Sequence, residues 1–221
     1  MSTVAAVVDQ GALTFDLAIP SEVFGYDRSD IVDPWYEFKL VAAGKTPVRT
    51  NTGFDLHTPY GLEELAGADT IVVPGWVDPD VPPSEALCRE LREAHARGAR
   101  VVSLCTGAFV LAFAGLLDDR RATTHWNNAE HFQRTFPAVD VDASVLFIDD
   151  GDVLTAAHRR ALERGMAMSV FTEELFATGN DVDNRAAVRA VPRDKLNLVG
   201  LAVHGPRNAV DKVLKGASLH R

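Results

Sequence analysis

Val101-Val102-Ser103-Leu104-Cys105-Thr106-Gly107-Ala108-Phe109-Val110-Leu111-Ala112 runs a β-branched apolar stretch straight into an apolar helix-forming one, with a single nucleophile-capable side chain at the junction. Arg100–Leu104 reads as a buried strand and Thr106–Leu117 as a helix. A sharp strand-to-helix turn crowds the positions two before and two after its apex, which tolerate little beyond Ser or Gly; Ser103 and Gly107 occupy them. The serine form of this turn is the G-x-S-x-G nucleophile elbow. Here Cys105 replaces the Ser and Ser103 the first Gly. A thiol so placed starts the following helix, where unpaired N–H groups and the macrodipole favour a thiolate and can hold an oxyanion. A Cys at a strand end is more often buried packing, and the flanking small residues are what favour the elbow. Cys88, inside a predicted helix, reads as packing.

Outward from the elbow, strand and helix patterns alternate. Val4–Val8 is a wholly apolar first strand, and a turn at Gly11 leads to a helix that begins at Pro20 and runs through Phe24. Trp35–Ala43 reads as a second strand, Val48–Leu56 as a hairpin-like edge around Gly53, and Thr70–Val73 as a further buried strand ending at Pro74-Gly75. Ser84 opens a helix that ends before Gly98. This alternation predicts an α/β fold with a doubly wound, mostly parallel sheet, whose sites gather at the carboxyl ends of the strands.

Three groups can face the thiol there. His125, in Ala122-Thr123-Thr124-His125-Trp126, follows the elbow helix and can deprotonate the thiol or stabilise its anion; a solvated surface histidine is the alternative. Asp16, flanked by apolar residues after the first strand, can be desolvated, kept protonated and used as a proton donor, or it can be a helix-start acid held by the dipole. Gly75 can add a backbone donor, with Trp76 beside it and Gly107 under the turn. His57, His95, His131, His158, His204 and His220 show no ligand-like spacing, so no metal site is expected.

Two cysteines in 221 residues give no disulfide framework, so a reducing cytoplasm is the expected setting. The first residues do not read as a signal peptide, and no apolar run approaches the roughly 20 residues a membrane helix needs. The net charge of −9 argues against a nucleic-acid partner for the chain as a whole. It is unevenly spread: residues 1–156 carry 11 Lys+Arg against 24 Asp+Glu, and residues 157–221 carry 11 against 7. The sign change marks a candidate boundary between a domain at 1–156 and a tail at 157–221.

Together Phe15–Gly25, Val72–Trp76, Leu104–Phe109 and Ala122–Trp126 resemble the ThiJ/PfpI superfamily, which is class I glutamine amidotransferase-like, over about residues 4–156. Within it the chain looks most like the sensor domain of AraC-type transcriptional regulators. Isonitrile hydratases, which share the Cys-Thr-Gly and Thr-Thr-His-Trp motifs, come next. The resemblance implies a flavodoxin-like fold, Cys105 as nucleophile, Asp16 facing it, Thr106 beside a bound substrate, Gly75 as backbone donor, His125 as the family histidine, no cofactor, and a homodimer. A glutaminase would carry His-x-Glu, but position 127 is Asn, so amidotransferase activity is not expected. Three roles stay open: a small-molecule sensor, a cysteine-dependent hydratase or lyase, and a redox or carbonyl-stress sensor.

After Gly151–Ala156 the likeness stops at Ala157-His158-Arg159-Arg160, and no helix-turn-helix half of the AraC type is recognised, so direct DNA binding is not expected of this chain. A truncated, recombined or frame-shifted gene would account for the break. In the tail, Glu163–Phe176 reads as an amphipathic helix, Leu196–Val203 as a strand and Ala209–Leu214 as a short helix; its basic balance reads as a solvated face.

Overall fold

The computed structural model describes residues 2–30, 33–145, 148, 153–172, 181–192, 196, 198–204 and 206–213. The chain divides into two compact units, Met1–Ser144 and Val145–Leu219.

The first unit is built on four parallel strands. β1 (Thr3–Val8) pairs with β2 (Glu37–Ala42) from Thr3↔Glu37 to Val8↔Ala42. Two two-residue strands follow: β3 (Val48–Arg49) and β4 (Asp55–Leu56) form the antiparallel hairpin expected around Gly53, which takes a positive φ of 95°. On its other side β1 pairs with β5 (Thr70–Val73), and β5 pairs with β6 (Arg100–Ser103), giving the order β2-β1-β5-β6. The order reverses between β1 and β5, the position in doubly wound sheets where ligand sites form.

Residues Val4 to Val8 of β1 are all buried because both faces of the sheet are covered. Ala5 and Val7 share one core with Ile71, Val73, Leu87, Leu91, Val110 and Leu111. The latter four come from α2 (Glu85–Ala96) and α3 (Gly107–Phe113). Val4, Ala6 and Val72 face the other way, toward Phe24, Tyr36 and Phe38. Ser84 caps α2 as expected, its hydroxyl accepting from the Leu87 N–H at 3.2 Å. α4 (Ala129–Thr135) packs Phe132 on Phe109 of α3, with ring centroids 4.6 Å apart. Two further short strands, β7 (Arg121–Ala122) and β8 (Asp140–Val141), pair in parallel.

One helix start differs from the sequence reading. The helix after β1 does not begin at Pro20: α1 spans Thr14–Pro20 and continues as a π-helical turn over Ser21–Gly25. Proline cannot donate to the carbonyl one turn back, and the ladder reorganises beyond it. The Ser21 N–H reaches the Leu17 and Ala18 carbonyls and its hydroxyl donates to Leu17 O at 2.8 Å. Asp16 therefore lies within the first turn of a helix, the helix-start placement that was one of its two sequence readings.

The second unit holds α5 (Val153–Glu163), β9 (Ala167–Thr172), α6 (Asp181–Ala190), β10 (Leu198–His204) and α7 (Arg207–Val213). β9 and β10 are antiparallel, and Ala157, Ala161 and Val213 make a small core with Met166, Met168 and Val203. The strand near 196–203 and the last short helix are present. The helix expected over Glu163–Phe176 is not: Gly165, at φ 60°, ends α5, with Met166 N bonded to Ala161 O at 3.0 Å, and the chain turns into β9. Residues 173–176 of that expectation lie outside the described residues. Ala156 and Ala157, between which the charge changes sign, are both inside α5.

A Cβ added at Gly107 would sit 2.3 Å from the Val73 carbonyl oxygen and 2.6 Å from that of Pro74. Gly107→Ala should therefore lower the unfolding free energy by about 2 kcal/mol or more, because fixed backbone cannot move aside. Urea denaturation monitored by tryptophan fluorescence measures this, and an unchanged midpoint would contradict the packing described.

Candidate functional site

The site grows from the end of β6. Leu104 N bonds to Val73 O at 2.9 Å, extending the β5–β6 ladder by one residue, and Gly107 N then bonds back to Leu104 O at 2.8 Å. These bonds close a turn with Cys105 at its second position, at φ 53°, and Thr106 at its third, at φ −71° and ψ −5°. A positive φ there is the pattern of a type II′ turn, which ordinarily takes glycine. A cysteine in this conformation carries strain of order 1–3 kcal/mol, which the surroundings must hold in place.

Two threonine hydroxyls brace the turn. Thr106 Oγ1 donates to Trp76 O at 2.8 Å, tying the start of α3 to the loop after β5. Thr124 Oγ1 donates to the carbonyl of Cys105 at 3.0 Å. The Cys105 side chain is half-buried.

Asp16 is brought up from α1 against Gly75: a Cβ on that glycine would fall 2.6 Å from the Asp16 carboxylate oxygen. Glycine at 75 is thus what lets the carboxyl group approach the end of β5. Burial raises the Asp16 pKa above the ordinary aspartate value, against the opposing influence of His125. Burial likewise pushes the Cys105 thiol up; hydrogen bonds from Thr106 lower it, and the charge of Asp16 raises it further. The start of α3 is a place where unpaired N–H groups favour a thiolate. Here desolvation, together with the charge of Asp16, acts the other way and raises the thiol pKa above its ordinary value.

His125 is exposed, and its Nδ1 accepts the Asn127 N–H at 3.3 Å, capping the short 3₁₀ turn Trp126–Asn128. An accepting Nδ1 assigns the proton of the neutral ring to Nε2. The imidazole thus presents a donor as long as the cap persists. Trp126 lies beside it, ring centroids 5.6 Å apart, and is 76% exposed.

Cys105, Thr106, Gly107, Asp16, Gly75 and Trp76 are therefore linked by direct contacts or local fields at the carboxyl edge of the sheet, with His125 near enough to influence Asp16. A small cleft at the β1–β5 reversal, lined by Val8, Leu13, Leu17, Pro74, Gly75 and Trp76 among others, meets the site at Gly75; Cys105 and Asp16 do not line it. Cys88 is buried in α2, as expected for packing. Two features went unnoticed in the sequence. Thr124 was read only as part of a motif. His131 bonds Asp80 at 2.6 Å and stacks on Phe109 at 5.6 Å, so α4 anchors the loop after β5. Among the described residues no group of three or more His, Cys, Asp or Glu is placed to hold a metal ion. Among the same residues no helix is long and apolar enough to cross a membrane.

A doubly wound α/β sheet with a cysteine in a strained turn at its carboxyl edge defines a general class. The family can be stated as well: residues 3–169 match the model of the DJ-1/PfpI family, and the chain belongs to it. Residues 134–221 also match a second family, described as a protein of unknown function (DUF2000). An uncharacterised protein of the cpoL 5′ region in Streptomyces lividans is 38% identical over 136 residues, covering 61% of this chain and 95% of that protein. The HTH-type transcriptional regulator CdhR of Pseudomonas aeruginosa is 34% identical over 153 residues, covering 65% of this chain and 46% of the regulator. Isonitrile hydratase of Pseudomonas putida is 36% identical over 125 residues, covering 55% of this chain and 53% of the hydratase. The match thus spans about half the length of each of these two named relatives. The crystal structure of an AraC family transcriptional regulator from Pseudomonas putida shares the fold, with a TM-score of 0.57 at 19% identity over 68% of this chain and 80% of that one.

Because the Asp16 charge raises the thiol pKa, Asp16→Asn should lower the pH midpoint of Cys105 alkylation by iodoacetamide. At neutral pH the rate should rise roughly threefold, equivalent to about half a pH unit. Peptide-resolved mass spectrometry reads the rate, and a midpoint that stays put or rises would contradict the proximity of the two groups.

Proposed function

We propose that the first unit is a ligand-sensing domain whose small-molecule site centres on Cys105, with Asp16, His125 and Thr106 as its polar groups and Gly75, Trp76 and Gly107 shaping its wall. The observation that carries this reading is the thiol held at φ 53° beside the Asp16 carboxyl group at the carboxyl edge of the sheet. Strain of this kind is kept where a side chain must be presented. Similarity to the regulator CdhR supports sensing over turnover. The protein acts in the cytoplasm.

A second reading has its own support. Burial keeps a proton on Asp16 to higher pH, and the relative from Pseudomonas putida is an isonitrile hydratase. In that reading the Cys105 sulfur bonds to the isonitrile carbon while the Asp16 carboxyl group gives its proton to that carbon and takes up the proton of the thiol, leaving a thioimidate. Water then adds to the thioimidate carbon, one of its protons going to nitrogen; the C–S bond breaks to leave an N-substituted formamide, and the remaining water proton returns to the sulfur. Net, one water is added to the isonitrile.

The readings separate in one pair of assays. Sensing predicts that some member of a panel of small amines, carboxylates and carbonyl compounds raises the melting temperature by roughly 2–4 °C. That shift should vanish in Cys105→Ala, and cyclohexyl isocyanide should give no formamide. Steady formamide production abolished by Cys105→Ser would favour the hydratase. A flat melting temperature across the panel, together with no product, would contradict both.

The same unit is proposed to pair with a second copy, since Phe15 and Trp126 leave 79% and 76% of their surfaces exposed beside Asp16 and His125. Light scattering should give twice the 23.9 kDa chain mass, and a monomer at micromolar concentration would refute this.

A further inference from the structure

We propose that Thr124 is a positioning residue for Cys105: its hydroxyl fixes the peptide plane that aims the Thr106 N–H at the sulfur. The inference rests on reading Cys105 as a reactive thiol, and it concerns how the thiol is held, not which ligand it meets.

Cys105 occupies a conformation that glycine prefers, so something must keep it there. Two backbone bonds define the turn, Leu104 N to Val73 O and Gly107 N to Leu104 O, but neither involves the peptide that joins Cys105 to Thr106. That peptide can rotate while both survive. The Thr124 hydroxyl, donating to Cys105 O at 3.0 Å, is the side chain that pins it. In a planar trans peptide the carbonyl and the N–H of the next residue point in opposite directions, so fixing one fixes the other. Here the N–H so aimed is that of Thr106, the backbone group that hydrogen-bonds Cys105 and favours its thiolate. A donor on the carbonyl also polarises the peptide and strengthens that N–H as a donor.

Position in the chain adds a second link. Thr124 immediately precedes His125, whose electrostatic influence lowers the Asp16 pKa. One hydroxyl therefore registers the His125 segment against the elbow, and the thiol and the imidazole are held by the same strut. Thr106 does the corresponding work on the other side, bonding Trp76 O at 2.8 Å.

A hydroxyl that merely satisfies a part-buried carbonyl would affect stability when removed, but not the ionisation of the neighbouring sulfur. The test is the pH profile of Cys105 alkylation by iodoacetamide in the full chain, resolved by peptide mass spectrometry against Cys88, with thermal melts in parallel. Thr124→Val keeps the shape and removes the donor; its alkylation midpoint should rise by roughly half a pH unit or more. Thr124→Ser should restore the wild-type profile. If the valine variant does not fold, Thr124→Ala serves with the same expectation. An unmoved midpoint in the hydroxyl-free variant overturns the proposal, as does a serine variant displaced as far as valine. Wild-type Cys105 no more reactive than Cys88 would overturn the reactive-thiol reading itself, and this inference with it.

Discussion

The carbonyl oxygens of Val73 and Pro74 lie where a side chain on residue 107 would have to be, and only glycine lets the start of α3 seat there. From that close approach the rest of the site follows. With α3 against the end of β5, the turn between β6 and α3 has no room to relax, and Cys105 is left at its tip with a positive φ. A second glycine, Gly75, repeats the device one strand over, because its missing Cβ is the space into which the Asp16 carboxyl group fits. Two absent side chains on neighbouring segments thus bring a thiol and a carboxyl group to one edge of the sheet.

The electrostatics that result are not those of a ready-made thiolate. Desolvation opposes charge on Cys105 and on Asp16 alike, and each group's anion would disfavour the other's. Hydrogen bonds from Thr106 pull the thiol pKa down without overcoming burial. Both groups are thus biased toward their protonated forms. That bias suits a site that responds to occupancy, and it equally suits an acid that delivers a proton during an addition.

Much of this was legible beforehand. Strands with wholly apolar runs, Val4–Val8 and Thr70–Val73, declare burial on both faces, and the helix signals at Ser84 and Gly98 lie where α2 is bounded. Gly107 and Cys105 announced the tight turn because sterics at such a junction admit so few residues. What escaped was of another kind. Pro20 looked like a helix start, yet it closes α1, which begins at Thr14. Helix polarity at Cys105 can be read from sequence, whereas the desolvation that raises its pKa cannot. Thr124 was invisible as a strut, since its partner is a backbone carbonyl 19 positions away. In the second unit, Gly165 was tolerated within a predicted helix when it is the residue that stops one.

Asp16 and Cys105 share one electrostatic environment, and the carbon-13 shift of the Asp16 carboxyl group reads this directly. Titrated from acid to alkali, it should show a first step above the ordinary aspartate value of about 3.9, then a second, smaller step coinciding with ionisation of the Cys105 thiol. A single step at the ordinary value, with a flat response through the thiol titration, would mean that the two groups do not meet.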